Sequence, residues 1–191
     1  MQKLRSPLGS THYLQLEYHR NLPHFQPDGA ELFITFRLHG TLPLPSGRDG
    51  RTFAAADRAL ERTSMGPSWL KEPLVAECVT ETIQQGDQVR ALYDLVAFVV
   101  MPNHVHVLID PKAPARKITQ FVKGVSAKRA NDVLGRTGQP FWQHESFDRW
   151  VRSLKERANI IRYIEFNPVR ANLALEPELF PYSSAFTRTH R

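Results

Sequence analysis

"QVRALYDLVAFVVMPNHVHVLID" (residues 88–110) is the stretch on which the fold turns. It holds two runs rich in β-branched and aromatic residues, and "MPN" (residues 101–103) is the only turn signal between them. The pair is therefore expected to form a tight antiparallel hairpin. The second run sets His104 and His106 one residue apart among aliphatic side chains. Side chains alternate faces along a strand, so the two histidines share one face, while Asn103, Val105 and Val107 take the other. Spacing alone leaves two readings open: hydrogen-bonded histidines on a half-open sheet, or two imidazoles gripping one divalent cation. Imidazoles buried among Leu and Val need partners, and a cation would serve both at once.

Working outward, "AELFITFRLHG" (residues 30–40) predicts a first strand from Glu31 to Leu38. Helical patterns follow over Phe53–Thr63 and Pro73–Gln85, the second with apolar Leu74, Val75, Val79 and Ile83. Downstream, Ala115–Leu134 is helical in pattern, with Ile118, Phe121, Val122, Val125 and Val133 along one side. "FWQHESFDRWVR" (residues 141–152) supplies a fourth strand, with Trp150 read as core. Ser153 and Glu156 then form a capping box for a helix expected to run to about Asn167, where Pro168 stops it. This order predicts an α+β, ferredoxin-like (split β-α-β) antiparallel sheet with helices on one face and an additional C-terminal helix. Residues 1–30 are read as an arm packed on a single domain spanning 31–185, and 186–191 as a tail.

The chain has 191 residues, 41% of them hydrophobic, which suits one domain with a sizeable core. Lys and Arg number 25 against 19 Asp and Glu, a formal charge of +6, which favours a polyanionic partner. A single cysteine, Cys78, excludes an intramolecular disulfide framework and is read as a core residue. "MQKLRSPLGSTHY" lacks the apolar core of a signal peptide, and the longest apolar run, Leu95 to Met101, is far too short to cross a bilayer. The expectation is a cytoplasmic protein, with no membrane partner.

The helix "SLKERANIIRYIEFNP" (residues 153–168) bears the next clue. On a helical wheel, Leu154, Ala158 and Ile161 form an expected core stripe, with Tyr163 roughly opposite beside Glu156, Asn159 and Asn167. Tyr163 is read either as an ordinary amphipathic tyrosine or as a nucleophile, the latter if a dication polarises the phosphate it attacks. Between Ala115 and Arg136 the chain also gathers Arg116, Lys117, Lys123, Lys128, Arg129 and Arg136 against one acid, Asp132. The first five are candidate DNA contacts.

Taken together, "MPNHVHVLI", "FWQHESFDRWVR" and "YIEFNPVRANL" resemble the single-tyrosine HUH transposases, most closely the REP-associated tyrosine transposases. The resemblance runs roughly from Leu32 to the "YSSA" at Tyr182–Ala185. It implies a ferredoxin-like core and a metal-dependent strand transferase that cuts single-stranded DNA near REP-like hairpins through a 5′-phosphotyrosine. Carried over by motif, His104 and His106 would hold Mg²⁺ or Mn²⁺, and Tyr163 would be the nucleophile. Asn167 stands where relatives place a third ligand, often glutamine. His144 has no place in the pattern. Two further functions stay open: a catalytically inactive DNA-hairpin-binding regulator, and a small zinc hydrolase. The assembly is expected to be a monomer or homodimer.

Overall fold

A computed structural model describes residues 18–19, 23–24, 30–41 and 66–190. Its centre is a four-stranded, wholly antiparallel sheet of β1 (Leu32–Arg37), β2 (Tyr93–Val100), β3 (His104–Pro111) and β4 (Phe147–Trp150). The spatial order is β2-β3-β1-β4, with α1 (Pro73–Gln88) between β1 and β2 and α2 (Ala115–Val133) between β3 and β4. This is the split β-α-β arrangement that the element order predicts.

Alternation divides the sheet into two chemically different faces. Leu32, Ile34 and Phe36 of β1 and Val105, Val107 and Ile109 of β3 point into the main core against α1 and α2. Both helices present stripes at helical spacing: Val75, Val79 and Ile83 on α1, and Ile118, Val122, Ser126 and Ala130 on α2. Trp142 is buried in this core and donates its indole N–H to Ser126 Oγ at 2.9 Å, while Trp150 packs partly buried against it. The opposite face carries a second cluster of Phe33, Ala97, Val99, Leu108 and Ile164, the last from α3 (Leu154–Glu165).

The hairpin forms as expected, and its turn is tied to the end of β1. Met101 N–H donates to His104 O at 2.8 Å, and Leu38 N–H to Asn103 O at 2.9 Å. Its first strand, however, begins at Tyr93 and not at Gln88, because α1 continues through Gln88. Gly86 lies inside α1 and is the seat of Tyr93. A β-carbon there would stand 2.2 Å from the Tyr93 hydroxyl, which donates to Ile83 O at 2.6 Å. Leu74 and Val133, placed on apolar stripes by their spacing, are 57% and 43% exposed, since each lies off the axis of its helix's buried stripe.

The Tyr163 helix corrects two further expectations. Leu154 is 85% exposed and Ala158 is exposed, so they form no core stripe. Of the expected stripe only Ile161 packs inward, beside Ile160, Tyr163 and Ile164, because the second face of the sheet is itself apolar and takes that phase of the helix. Nor does Pro168 end the helical run. Phe166 closes α3, and α4 (Asn167–Arg170) restarts at once with Pro168 in its first turn, where a missing N–H does no harm. Asn167 thus opens a new helix one turn past Tyr163.

After α4 the chain crosses to the outer edge of β2. Val100 N–H donates to Tyr182 O at 2.9 Å, Val99 bridges Ser183, and α5 (Ser184–Thr189) follows. The tail expected from residue 186 is therefore part of a packed helix. Of the arm expected over residues 1–30, the described residues include only Ala30 and a short backbone ladder pairing Tyr18 with His24 and His19 with Pro23. The helix expected over Phe53–Thr63 lies outside the described residues. Among the described residues no helix is long and apolar enough to cross a membrane.

Gly86→Ala tests the α1–β2 packing. Alanine gains about 1 kcal/mol of helix propensity, yet the overlap with Tyr93 is expected to dominate. The net effect should be a loss of about 1–3 kcal/mol in chemical denaturation.

A candidate histidine–tyrosine site on the second face

The β1–β3 register builds the site row by row. Thr35 lies opposite His106 and Arg37 opposite His104, all on the second face. Both imidazoles are wholly buried, with ring centroids 4.7 Å apart. Each ring is oriented through Nδ1: His106 shares a 2.7 Å hydrogen bond with Thr35 Oγ1, and His104 donates to Asn103 Oδ1 at 2.6 Å. Orientation through Nδ1, with Nε2 as the second ring nitrogen, is the usual arrangement behind a metal-binding histidine. Phe33 stacks on His106 at 5.6 Å and supports the ring from the next position of β1.

Tyr163 enters from α3. Its ring centroid lies 5.5 Å from that of His106 and meets Phe33 edge-on at 6.3 Å. The exposed Arg170 of α4 lays its guanidinium carbon 4.3 Å from the Tyr163 ring centre, a cation–π contact. Asn167, between them in sequence, is wholly buried at the α3–α4 junction.

Several contacts fix this helix over the sheet. Ser153 Oγ accepts from Glu156 N–H at 3.2 Å, and the Glu156 carboxylate accepts from Arg152 N–H at 2.8 Å, one residue earlier than a standard capping box. Glu156 also pairs with Arg149 of β4. Arg157 clasps both carboxylate oxygens of Glu31 at 2.7 and 2.9 Å, joining α3 to the start of β1. At the far end, Glu165 accepts from Ser184 Oγ at 2.9 Å and pairs with Arg188 at 2.6 Å. The helix that carries Tyr163 is thus clamped at both ends to the body of the domain.

His104, His106 and Tyr163 are brought together, as their motifs imply. The basic helix is not brought to them: α2 packs on the main-core face, opposite the histidines. Within it, Lys123 donates to Gln143 O and His144 O at 2.7 and 2.8 Å, and Arg129 pairs with Glu81 of α1. Arg116, Lys117 and Lys128 are exposed. Sequence reasoning passed over Phe33, Thr35 and Arg37. Their signal lies in "FITFR", where aromatic, hydroxyl and cation alternate at the same period of two as the histidines. Among the described residues no group of three His, Cys, Asp or Glu side chains is disposed to hold a metal ion.

Comparison with known proteins follows the same lines. The family model described as "Transposase IS200 like" matches residues 69–167, which includes both histidines, Tyr163 and Asn167. Among solved structures, the fold is similar to that of a REP-associated tyrosine transposase bound to a REP hairpin. The identity is 18%, the TM-score 0.56, and the match covers 92% of this chain and 86% of that one. A candidate transposase from Deinococcus radiodurans R1 also matches at 20% identity and a TM-score of 0.38, over 80% of this chain and 98% of that one. No curated protein matches the chain.

Thr35→Val keeps the shape of the strand and removes the hydroxyl that orients His106. A loss of about 1–2 kcal/mol in folding stability is expected by denaturant titration.

Proposed function

The chain belongs to the IS200-like transposase family, and on that premise we propose that it cuts and rejoins single-stranded DNA at hairpins through Tyr163. The observation that carries this reading is the constellation itself: two buried imidazoles 4.7 Å apart, with the Tyr163 ring 5.5 Å from one of them. A buried histidine pair oriented through Nδ1 makes little sense as a packing device, since leucine would fill the same space without polar demands. It makes good sense as a cation holder.

The residues present suit a divalent cation. His104 and His106 would bind through Nε2, and the Asn167 amide is the candidate third ligand. Two nitrogens with an amide oxygen favour Mn²⁺ on coordination preference, while Mg²⁺ is the hard-cation alternative. When bound, such a cation would polarise a phosphate oxygen and offset developing negative charge.

The protein's own groups do the rest. Tyr163 Oη attacks the phosphorus of a DNA phosphodiester: the phenolic O–P bond forms as the P–O3′ bond breaks. The phenolic proton passes to solvent, and the departing 3′ oxygen takes one up to leave a free 3′-OH. The 5′-phosphotyrosine so formed keeps the phosphodiester bond energy, so a 3′-OH can reverse the step and rejoin strands without an external energy source. Arg170, already over the Tyr163 ring, is positioned to pair with the phosphoryl oxygens gained by that tyrosine. Clamping of α3 at Glu31 and Arg188 holds the phenol against the histidine row, which reduces the orientational entropy lost at the moment of attack.

Hairpin DNA as substrate, and the cytoplasm as the place of action, belong to the same proposal. The hairpin is supported by the ligand of the structural relative and by the chain's formal charge of +6. Incubation with single-stranded hairpin DNA and Mn²⁺ or Mg²⁺ should give a covalent protein–DNA adduct on a denaturing gel. Tyr163→Phe should reduce that adduct by about three orders of magnitude or more while hairpin binding is retained. An adduct of normal yield in Tyr163→Phe would overturn the assignment. Chelation of the metal should likewise abolish the adduct, and His104→Ala should not recover on adding Mn²⁺.

A further inference from the structure

Arg37 is the one strongly basic side chain on the histidine face of β1, and it is 6% exposed. It is Cα partner to His104, two residues on from Thr35, whose hydroxyl holds His106. Directly opposed residues of an antiparallel pair bring their Cβ atoms to about 4.5–5.5 Å, so Arg37 and His104 start side by side. Yet the Arg37 Nε and Nη1 are buried without a hydrogen-bond partner, and among the described residues no ion pair reaches this guanidinium. Burial also pushes its pKa below the ordinary arginine value, although arginine starts so high that the group stays charged.

The paired strand residues of this face bring it no acid. On this face β1 contributes Phe33, Thr35 and Arg37, β3 contributes His104, His106 and Leu108, and β2 contributes Ala97 and Val99. None of these is acidic. The neighbouring Arg149, opposite Phe33, is already paired with Glu156. A buried cation with unused donors destabilises a fold unless something else uses it. Its planar fork is matched to the oxygens of a phosphate, and a cation bound by the adjacent histidines would leave the whole face positive.

We propose that Arg37 is a phosphate-binding residue of this site, gripping a non-bridging oxygen of the phosphodiester that Tyr163 attacks. This rests on the function proposed above and adds a residue to it. The sheet then delivers positive charge to the phosphate from two adjacent strands: β3 through the histidines and β1 through Arg37. Its action is strongest as the phosphorane develops charge, so it serves the cleavage step more than hairpin capture.

Arg37→Met is the decisive variant, because methionine replaces the stem without the charge. It should melt at or above the wild-type temperature, since no described partner is lost. Hairpin binding should be retained, while adduct formation falls about 100-fold or more. Arg37→Lys should fall between, keeping the charge but losing the fork. Independently of cleavage, inorganic phosphate with Mn²⁺ should raise the melting temperature of the wild type and leave Arg37→Met unmoved. A wild-type adduct rate in Arg37→Met, a sharp drop in its melting temperature, or an equal response of both proteins to phosphate would overturn the proposal. If the wild type forms no adduct, or Tyr163→Phe still does, the broader function fails, and the phosphate shift still decides Arg37. If wild type and Tyr163→Phe behave as expected while Arg37→Met cleaves normally, Arg37 alone is wrong.

Discussion

The pairing of β1 with β3 is the constraint from which the rest follows. Six successive Cα partners, from Leu32 with Ile109 to Arg37 with His104, fix which residues share a face. A slip of one residue would turn His104 and His106 into the main core and set Val105 and Val107 on the second face. The apolar partners of the odd positions prevent this. Val105, Val107 and Ile109 are buried against α1 and α2, and restoring water to them is unfavourable by several times the worth of any single polar contact. Hydrophobic burial on one face thus holds the polar row in register on the other.

The two faces have different roles. The face under α1 and α2 is filled with aliphatic and aromatic side chains and supplies the bulk of the burial. The opposite face is smaller and mixed: Phe33, Val99 and Leu108 surround a polar row of Thr35, Arg37, His104 and His106. Its cover, α3, packs through Ile160, Tyr163 and Ile164, so the Tyr163 phenol belongs to the packing surface as well as to the candidate site. Ion pairs at Glu31 and Glu165 set the direction of this helix over the sheet. Being half-exposed, those pairs contribute mainly direction and little stability.

Much of this was legible in the sequence, for identifiable reasons. The hairpin, the α2 stripe and the Ser153 cap follow from period, turn and capping chemistry, all local properties. The pairing of His104 and His106 on one face follows from strand geometry alone. What misled was tertiary. The phase of α3 depends on an apolar second face that no local pattern announces, so Leu154 and Ala158 were placed inward although they are exposed. The end of α1 depends on Gly86 admitting Tyr93, a contact between elements that helical periodicity does not announce. Arg37 escaped notice because a lone arginine in a strand reads as an edge or surface residue until its burial is known.

The crossing of residues 182–184 along β2 has a bearing on how copies of this chain meet. Phe98, Val99 and Val100 form the outermost strand's apolar stretch. Their backbone is engaged by Ser184 Oγ at 3.2 Å from Phe98 N–H, by the Ser183 bridge, and by Tyr182 O at 2.9 Å from Val100 N–H. Nearer the start of the strand, the irregularity between Leu95 and Ala97 breaks the repeat a foreign strand would have to match. Sheet-to-sheet extension from this margin is therefore blocked by the chain's own C-terminal segment. The chain is thereby protected, on this side, from fibre-like self-association.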